Sequence, residues 1–254
     1  MAVILNETKQ AEYILETGEV GSKPTSTLFL LGKYYRQKQH LNKNQTFSRL
    51  NEFMLKHYHN YNPVLWESLI EDISRKAGQY SLREIQSIGI ARSELEQITE
   101  VRSLKYQQLL FTMLCYAKFY NTLSTDNHGW VNTTIREIYK TARVTVKNRK
   151  DRFLYLNDLA QTGLISFSAK NDNLNIRINF ADMNGETVLS IEDFREPGYE
   201  YLNYIGSEHF IRCADCKRLV KRTGNNTRYC KECRRKKELE KYKKYNQTRK
   251  QPLF

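Results

Sequence analysis

The sequence predicts a mainly α protein with small β parts, and three observations carry that reading. Apolar residues recur at helical spacing through residues 1–98. The apolar period shortens to two between residues 164 and 191. Four of the five cysteines fall within residues 213–233, in a stretch crowded with Lys and Arg. The organisation that follows is a helical domain over 1–98, a mixed domain over 99–195 and a polar-aromatic connector over 196–207. A cysteine segment over 208–238 and a basic helical tail over 239–254 complete it.

The N-terminal domain reads as helices divided by turn signals. TKQAEYILETG ends in Gly18, a C-cap residue, and Pro24 suits the first turn of the next helix. In the third helix Leu50, Phe53 and Met54 share a face; in the fourth, Trp66, Leu69, Ile70 and Ile73 do. Ser81 with Glu84, and Ser93 with Glu96, match capping boxes.

The middle domain opens with a long apolar helix from Leu104 to Tyr120, in which Cys115 is expected as a buried small hydrophobe. Thr134 with Glu137 caps a short helix. A third helix, TVKNRKDRFLYLNDLAQTG, closes at Gly163. LISFSAK and LNIRINFAD then flank the turn triplet NDN, and ETVLSIEDF is expected to add a third strand. Helix, short helix, helix, hairpin is the order of a winged helix, and LNDLAQTGLISFS resembles the end of a recognition helix running into its wing. Such a helix enters a major groove by its start, where Lys147, Arg149, Lys150 and Arg152 cluster. Val146, Phe153, Leu156 and Ala160 are expected to face the core, with Lys147, Asn148, Asp151, Tyr155 and Asp158 opposite.

Cys213, Cys216, Cys230 and Cys233 form two CxxC pairs, the pattern of a four-thiolate zinc site. Each pair makes a tight knuckle that aims two sulfurs at one point. The intervening residues are expected to form a hairpin, with Leu219 and Val220 in a strand, Thr223–Asn226 as the turn, and Phe210 and Tyr229 over the metal. A segment this poor in apolar side chains cannot fold on a core alone, and structural zinc supplies the missing free energy. Four thiolates leave no open position for water, which argues against catalytic zinc. Disulfides and an iron–sulfur cluster are the other uses of the same four residues.

The 254 residues are 40% hydrophobic and 12% aromatic, enough for a packed core and against global disorder. The net charge is +13. Residues 207–254 hold 16 Lys and Arg against 5 Asp and Glu, whereas the rest of the chain holds 25 against 23. The basic character therefore belongs to the cysteine segment and tail, and it implies a polyanionic partner, DNA first among them. Lys217, Arg218, Lys221, Arg222, Arg228, Arg234, Arg235, Lys236 and Lys237 are the candidate contacts there. Tyrosines interleaved with this charge suit stacking on bases. MAVILNETKQ lacks a positive n-region, and no apolar run approaches the ~20 residues that span a bilayer, so a soluble cytoplasmic protein is expected.

Phosphate-binding loops, nucleophile elbows, HExxH and deaminase signatures are missing from the sequence, so no enzyme is expected. His57 and His59 read as surface residues.

The C-terminal segment resembles that of small proteins encoded by phages and integrated elements of Firmicutes. The matching residues are Cys213, Cys216, Lys217, Arg218, Leu219, Val220, Lys221, Arg222, Thr223, Asn225, Tyr229, Cys230 and Cys233. The resemblance implies a genetic setting more than an activity. Two functions are consistent with it. One is a nucleic-acid-binding accessory protein for transcriptional control or replication. The other is an interaction protein that inhibits a host nucleic-acid machine, such as a polymerase or a defence complex.

Overall fold

Helix α1, Glu7–Thr17, starts where the Asn6 side chain accepts the Lys9 N–H at 2.9 Å. It ends at Gly18, whose φ of +67° is the left-handed turn that a C-cap needs. A Cβ at Gly18 would sit 2.0 Å from the His57 ring, so both backbone conformation and space select glycine. This computed structural model describes residues 3–168 and 175–249. It divides into two units, Ile4–Gln86 and the chain from Ser87 onward.

In the first unit, α2 (Pro24–Gln37) begins with proline in its first turn. Helix α3 (Lys43–His57) begins with a reciprocal capping box between Asn42 and Gln45. Helix α4 (Pro63–Lys76) is capped by the Asn62 side chain, which accepts from Val64 N. Leu28, Leu31, Leu50, Met54 and Ile70 form the centre of the core, fully buried. Trp66 is half-buried, and Leu69 lies on the exposed side. Glu7 is buried as well, and its carboxylate accepts from Lys33 Nζ, Arg83 N and Arg83 Nη2.

Several expectations are corrected here. Residues 81–87 are not helical, so Ser81 caps nothing; Glu84 instead bridges to Asn6 and accepts the Thr8 hydroxyl at 2.6 Å. His57 is half-buried, its ring 4.9 Å from that of Phe53; His59 is exposed. The first unit ends at Gln86 rather than at residue 98, because the next segment pairs with a strand a hundred residues further on.

That segment is β1 (Ile88–Ala91), followed by α5 (Arg92–Thr99). The acid that caps α5 is Glu94, which accepts the Ala91 N–H at 2.7 Å, and not Glu96. Helix α6 (Leu104–Leu123) is buried on every face from Gln108 to Phe119, Cys115 included, as expected of a helix apolar all round. Lys118 is buried in it and donates to both Glu94 oxygens, at 3.0 and 2.8 Å, and to Asp182 O at 2.6 Å. Glu94 also accepts Asp182 N at 2.7 Å, so this buried pair is fully hydrogen-bonded.

After α6 come β2 (Trp130–Val131), α7 (Ile135–Thr141) and α8 (Arg149–Gln161). Thr134 caps α7 by accepting from Glu137 N. Strands β3 (Ile165–Phe167) and β4 (Ile176–Ile178) follow, and they form an antiparallel sheet in the order β2-β4-β3. The NDN turn lies outside the described residues. Strand β5 (Thr187–Ile191) does not join this sheet; it pairs antiparallel with β1.

Residues 197–204, expected as a connector, are helix α9 (Pro197–Tyr204), which packs on α6. Its Tyr201 is fully buried and donates to Gln107 Oε1 at 2.9 Å. Strand β6 (Phe210–Arg212) pairs antiparallel with β7 (Leu219–Lys221), and α10 (Lys231–Arg249) closes the described chain. Among the described residues no helix is long and apolar enough to cross a membrane.

Candidate metal centre

The CADC knuckle is the loop of the β6–β7 hairpin. Cys213 N donates to Arg218 O at 2.9 Å, and Lys217 N donates to Cys213 O at 3.0 Å. Lys217 takes a positive φ of 59° to close the turn. The partner of β7 is thus β6, upstream of the knuckle, and the residues between the CxxC pairs do not form a hairpin among themselves. They turn at 223–227, where Thr227 Oγ1 accepts from the N–H groups of Thr223 and Gly224. The second knuckle then opens α10, and Ala214 N donates to Arg228 O at 3.0 Å, joining the two.

This brings all four sulfurs to within 4.8 Å of one another. Cys213 and Cys230 are buried; Cys216 and Cys233 are half-buried. Cys216 Sγ and Cys230 Sγ are 3.7 Å apart. A disulfide needs about 2.05 Å. Tetrahedral Zn–S bonds of about 2.3 Å place sulfurs about 3.8 Å apart. Backbone N–H groups point at the sulfurs, Cys230 N to Cys213 Sγ at 3.3 Å and Cys233 N to Cys230 Sγ at 3.4 Å. Burial pushes the Cys213 thiol up, but the N–H groups of Cys230, Cys216 and Asp215 together bring it down to about 6. Burial pushes the Cys216 and Cys233 thiols up. The four cysteines are positioned to hold a metal ion, and their geometry and chemistry fit zinc.

The segment is docked by charge. Arg195, paired with Asp193 at 2.6 Å, donates to Cys216 O at 2.7 Å. Glu200, in α9, takes both guanidinium nitrogens of Arg212 at 2.6 and 2.9 Å. Burial raises the Glu200 carboxyl, with Arg212 acting against it. Glu196 holds Arg143 through two hydrogen bonds and has Arg218 at 3.9 Å. Phe210 packs on Tyr199, ring centroids 5.0 Å apart.

The expected basic contacts separate into groups. Arg218 faces inward, between Glu196 and Glu232. Lys237 pairs with Asp215 at 3.4 Å and lies 4.8 Å over the Tyr229 ring. Lys221 pairs with Glu208, Arg234 with Glu238, and Arg222 donates to Asn225. Lys217, Arg228, Arg235 and Lys236 are exposed. On the other side of the unit's sequence, Lys147 and Lys150 are exposed at the start of α8; the Arg149 side chain lies outside the described residues. Arg152 is half-buried, its guanidinium 5.7 Å over the Tyr139 ring.

Helix α8 also differs from its expected facing. It starts at Arg149, so Val146 lies before it. Leu156 and Leu159 are buried, while Phe153 and Ala160 are only half-buried. Tyr155 stacks on Tyr106 of α6 at 5.0 Å, and Tyr106 donates to Asp158. Arg136, Lys140, Arg143, Arg195, Glu196 and Glu200 were not among the expected site residues. The first three recur at i, i+4 and i+7, a spacing visible in the sequence; the others are defined only by docking.

Comparison with protein-family models, curated proteins and solved structures returns no match.

Proposed function

We propose that the protein binds nucleic acid, duplex DNA first, through a winged-helix domain and a four-thiolate zinc ribbon. It would serve a phage or other mobile element in transcriptional control or replication, in a reducing cytoplasm. The observation that carries this is the convergence of four sulfurs beneath a segment rich in exposed Lys and Arg. A closed S₄ site is a frame, not a catalyst, and the charge it orders faces solvent.

The order α6, β2, α7, α8, β3, β4 with sheet order β2-β4-β3 supports the winged-helix reading. Engagement of Tyr155 and Asp158 with Tyr106 leaves the first turn of α8 as the part available to a groove. Lys147, Arg149 and Lys150 are then the base-proximal residues. Lys217, Arg228 and Arg235 are the ribbon's phosphate contacts, joined by Lys221, Arg222, Arg234, Lys236 and Lys237 when their present contacts yield to phosphate. Arg218 is a docking residue in this reading.

The test is a salt titration of binding to duplex, single-stranded and RNA oligonucleotides, by the full chain and by a chain ending at Gly206. Salt-steep binding lost on truncation supports the proposal. Absence of binding by either form at moderate salt refutes it.

A protein partner has one observation in its favour. Val64 and Leu65 at the start of α4 are 79% and 77% exposed. Inhibition of a host machine through that unit would survive loss of Lys147, Arg149 and Lys150, whereas DNA recognition would not.

A further inference from the structure

Between α7 and α8 lies a cleft of about 470 Å³ that the reading above does not use. Arg136, Lys140, Arg143 and Arg152 all line it, with Tyr139 and Tyr199 as walls and Val144–Val146 along the turn. Its cations are not spent alike. Arg143 is held by Glu196. Lys140 has only Glu137 among the described residues, at 3.5 Å on the surface. Arg136 has no ion-pair partner among the described residues. Arg152 Nε is buried and has no hydrogen-bond partner among them.

A buried guanidinium N–H without an acceptor costs free energy unless something supplies one. The cleft is built firmly enough to keep that arrangement. Tyr139 fixes α8 by donating to Arg152 O at 2.8 Å, and its ring lies under the guanidinium. Helix α9 sits so close that a Cβ on Gly198 would lie 2.0 Å from Ala142 O. Arg143, at a φ of +58°, is fixed against Tyr199 and Glu196.

We propose that this cleft is a phosphate-binding site, in which Arg136, Lys140 and Arg152 take the oxygens of one phosphate group. A guanidinium fork with an open N–H and two flanking cations is the donor set that a tetrahedral oxyanion needs. Resting on the nucleic-acid reading, the phosphate is a backbone phosphodiester that positions α8 on its duplex. A free phosphate ester offers the same oxygens and is the other source.

The full-length protein tests this in two arms. The first measures duplex binding against salt for wild type and for the double variant Arg136→Ala, Lys140→Ala, with zinc content and helix content checked alongside. The slope of log affinity against log salt should become shallower by about two contacts, each worth about 0.9. The second follows the arginine side-chain resonances of wild type during addition of inorganic phosphate, then of a nucleoside monophosphate. Arg152 and Arg136 should shift before exposed Arg235 does.

A shallower slope supports the cleft with a phosphodiester as ligand. If wild type binds no nucleic acid yet phosphate shifts Arg152, the nucleic-acid reading falls and the cleft stands as a site for free phosphate esters. An unchanged slope together with silent Arg152 and Arg136 resonances overturns the cleft, and the ribbon reading survives. The phosphate titration needs no variant, so a double variant that fails to fold does not spare the proposal.

Discussion

At Cys213 two opposing effects meet. Burial disfavours its thiolate, and three backbone N–H groups favour it more strongly, to about 6. Its stabilising contribution is complete above the ordinary thiol value of 9.0 and is lost as pH falls through about 6. Cys216 and Cys233 are shifted upward, so metal binding must displace their protons. Metal release to a chromophoric chelator should therefore speed up as pH falls through about 6. Cys115 behaves differently. Its burial holds the thiol well above 9.0, so it stays neutral and unreactive in the fold. Its contribution to stability is intact below 9.0 and is lost as pH rises through its higher folded value. A thiol reagent at pH 8 should label four cysteines once the metal is removed, and the fifth only in denaturant. Labelling of Cys115 in the native fold would contradict its placement in α6. The four ligands were legible in the sequence because spacing alone defines two knuckles. The partners of Arg218 were not, since Glu196 and Glu232 become its neighbours only when the hairpin docks.

Elements with their own caps and periodicity were also legible. Helices α1 and α2 announce themselves through Gly18 and Pro24, and α3 through the apolar face of Leu50, Phe53 and Met54; the caps at Asn6 and at Asn42 with Gln45 emerged only from the structure. The capping box read at Ser81 failed because Glu84 bridges to Asn6 and accepts the Thr8 hydroxyl, and the one read at Ser93 failed because α5 already begins at Arg92, where Glu94 rather than Glu96 accepts the Ala91 N–H. Glu94 joins β1, α5, α6 and the loop at Asp182 through one carboxylate. Glu94→Gln should cost about 3–5 kcal/mol in urea unfolding, because it leaves Lys118 buried without a counter-charge. Replacing Glu94 and Lys118 together with Leu and Met should cost less than Glu94→Gln alone. Strand β5 went to β1 because register with a distant strand leaves no local signature. Helix α9 was misread because its polar-aromatic residues hide a buried side, with Tyr201 and Leu202 inward. Glu196→Ala should release both Arg143 and Arg218. Hydrogen exchange should then quicken in β6 and β7 while α6 stays protected.

For the whole molecule, the sequence places the net charge in residues 207–254, and the first compact unit closes at Gln86 where the periodicity suggested residue 98. The unit Ile4–Gln86 carries its own buried centre. Residues 1–86 expressed alone should give a helical fragment with a cooperative thermal transition. A fragment without one would mean that this core needs the rest of the chain. In the second unit, folding and charge are tied together by the metal position. The basic segment has few apolar residues of its own, and its described part, residues 207–249, is held by the cysteine cluster and by Arg195, Glu196 and Glu200. On the proposed function, metal-ordered charge does the binding. Its most direct test compares duplex affinity of the full chain at about 0.1 M salt before chelation, after it, and after zinc is restored. We expect one zinc per chain, at least a tenfold loss of affinity on removal, and recovery on return. Unchanged affinity in the metal-free chain would contradict it.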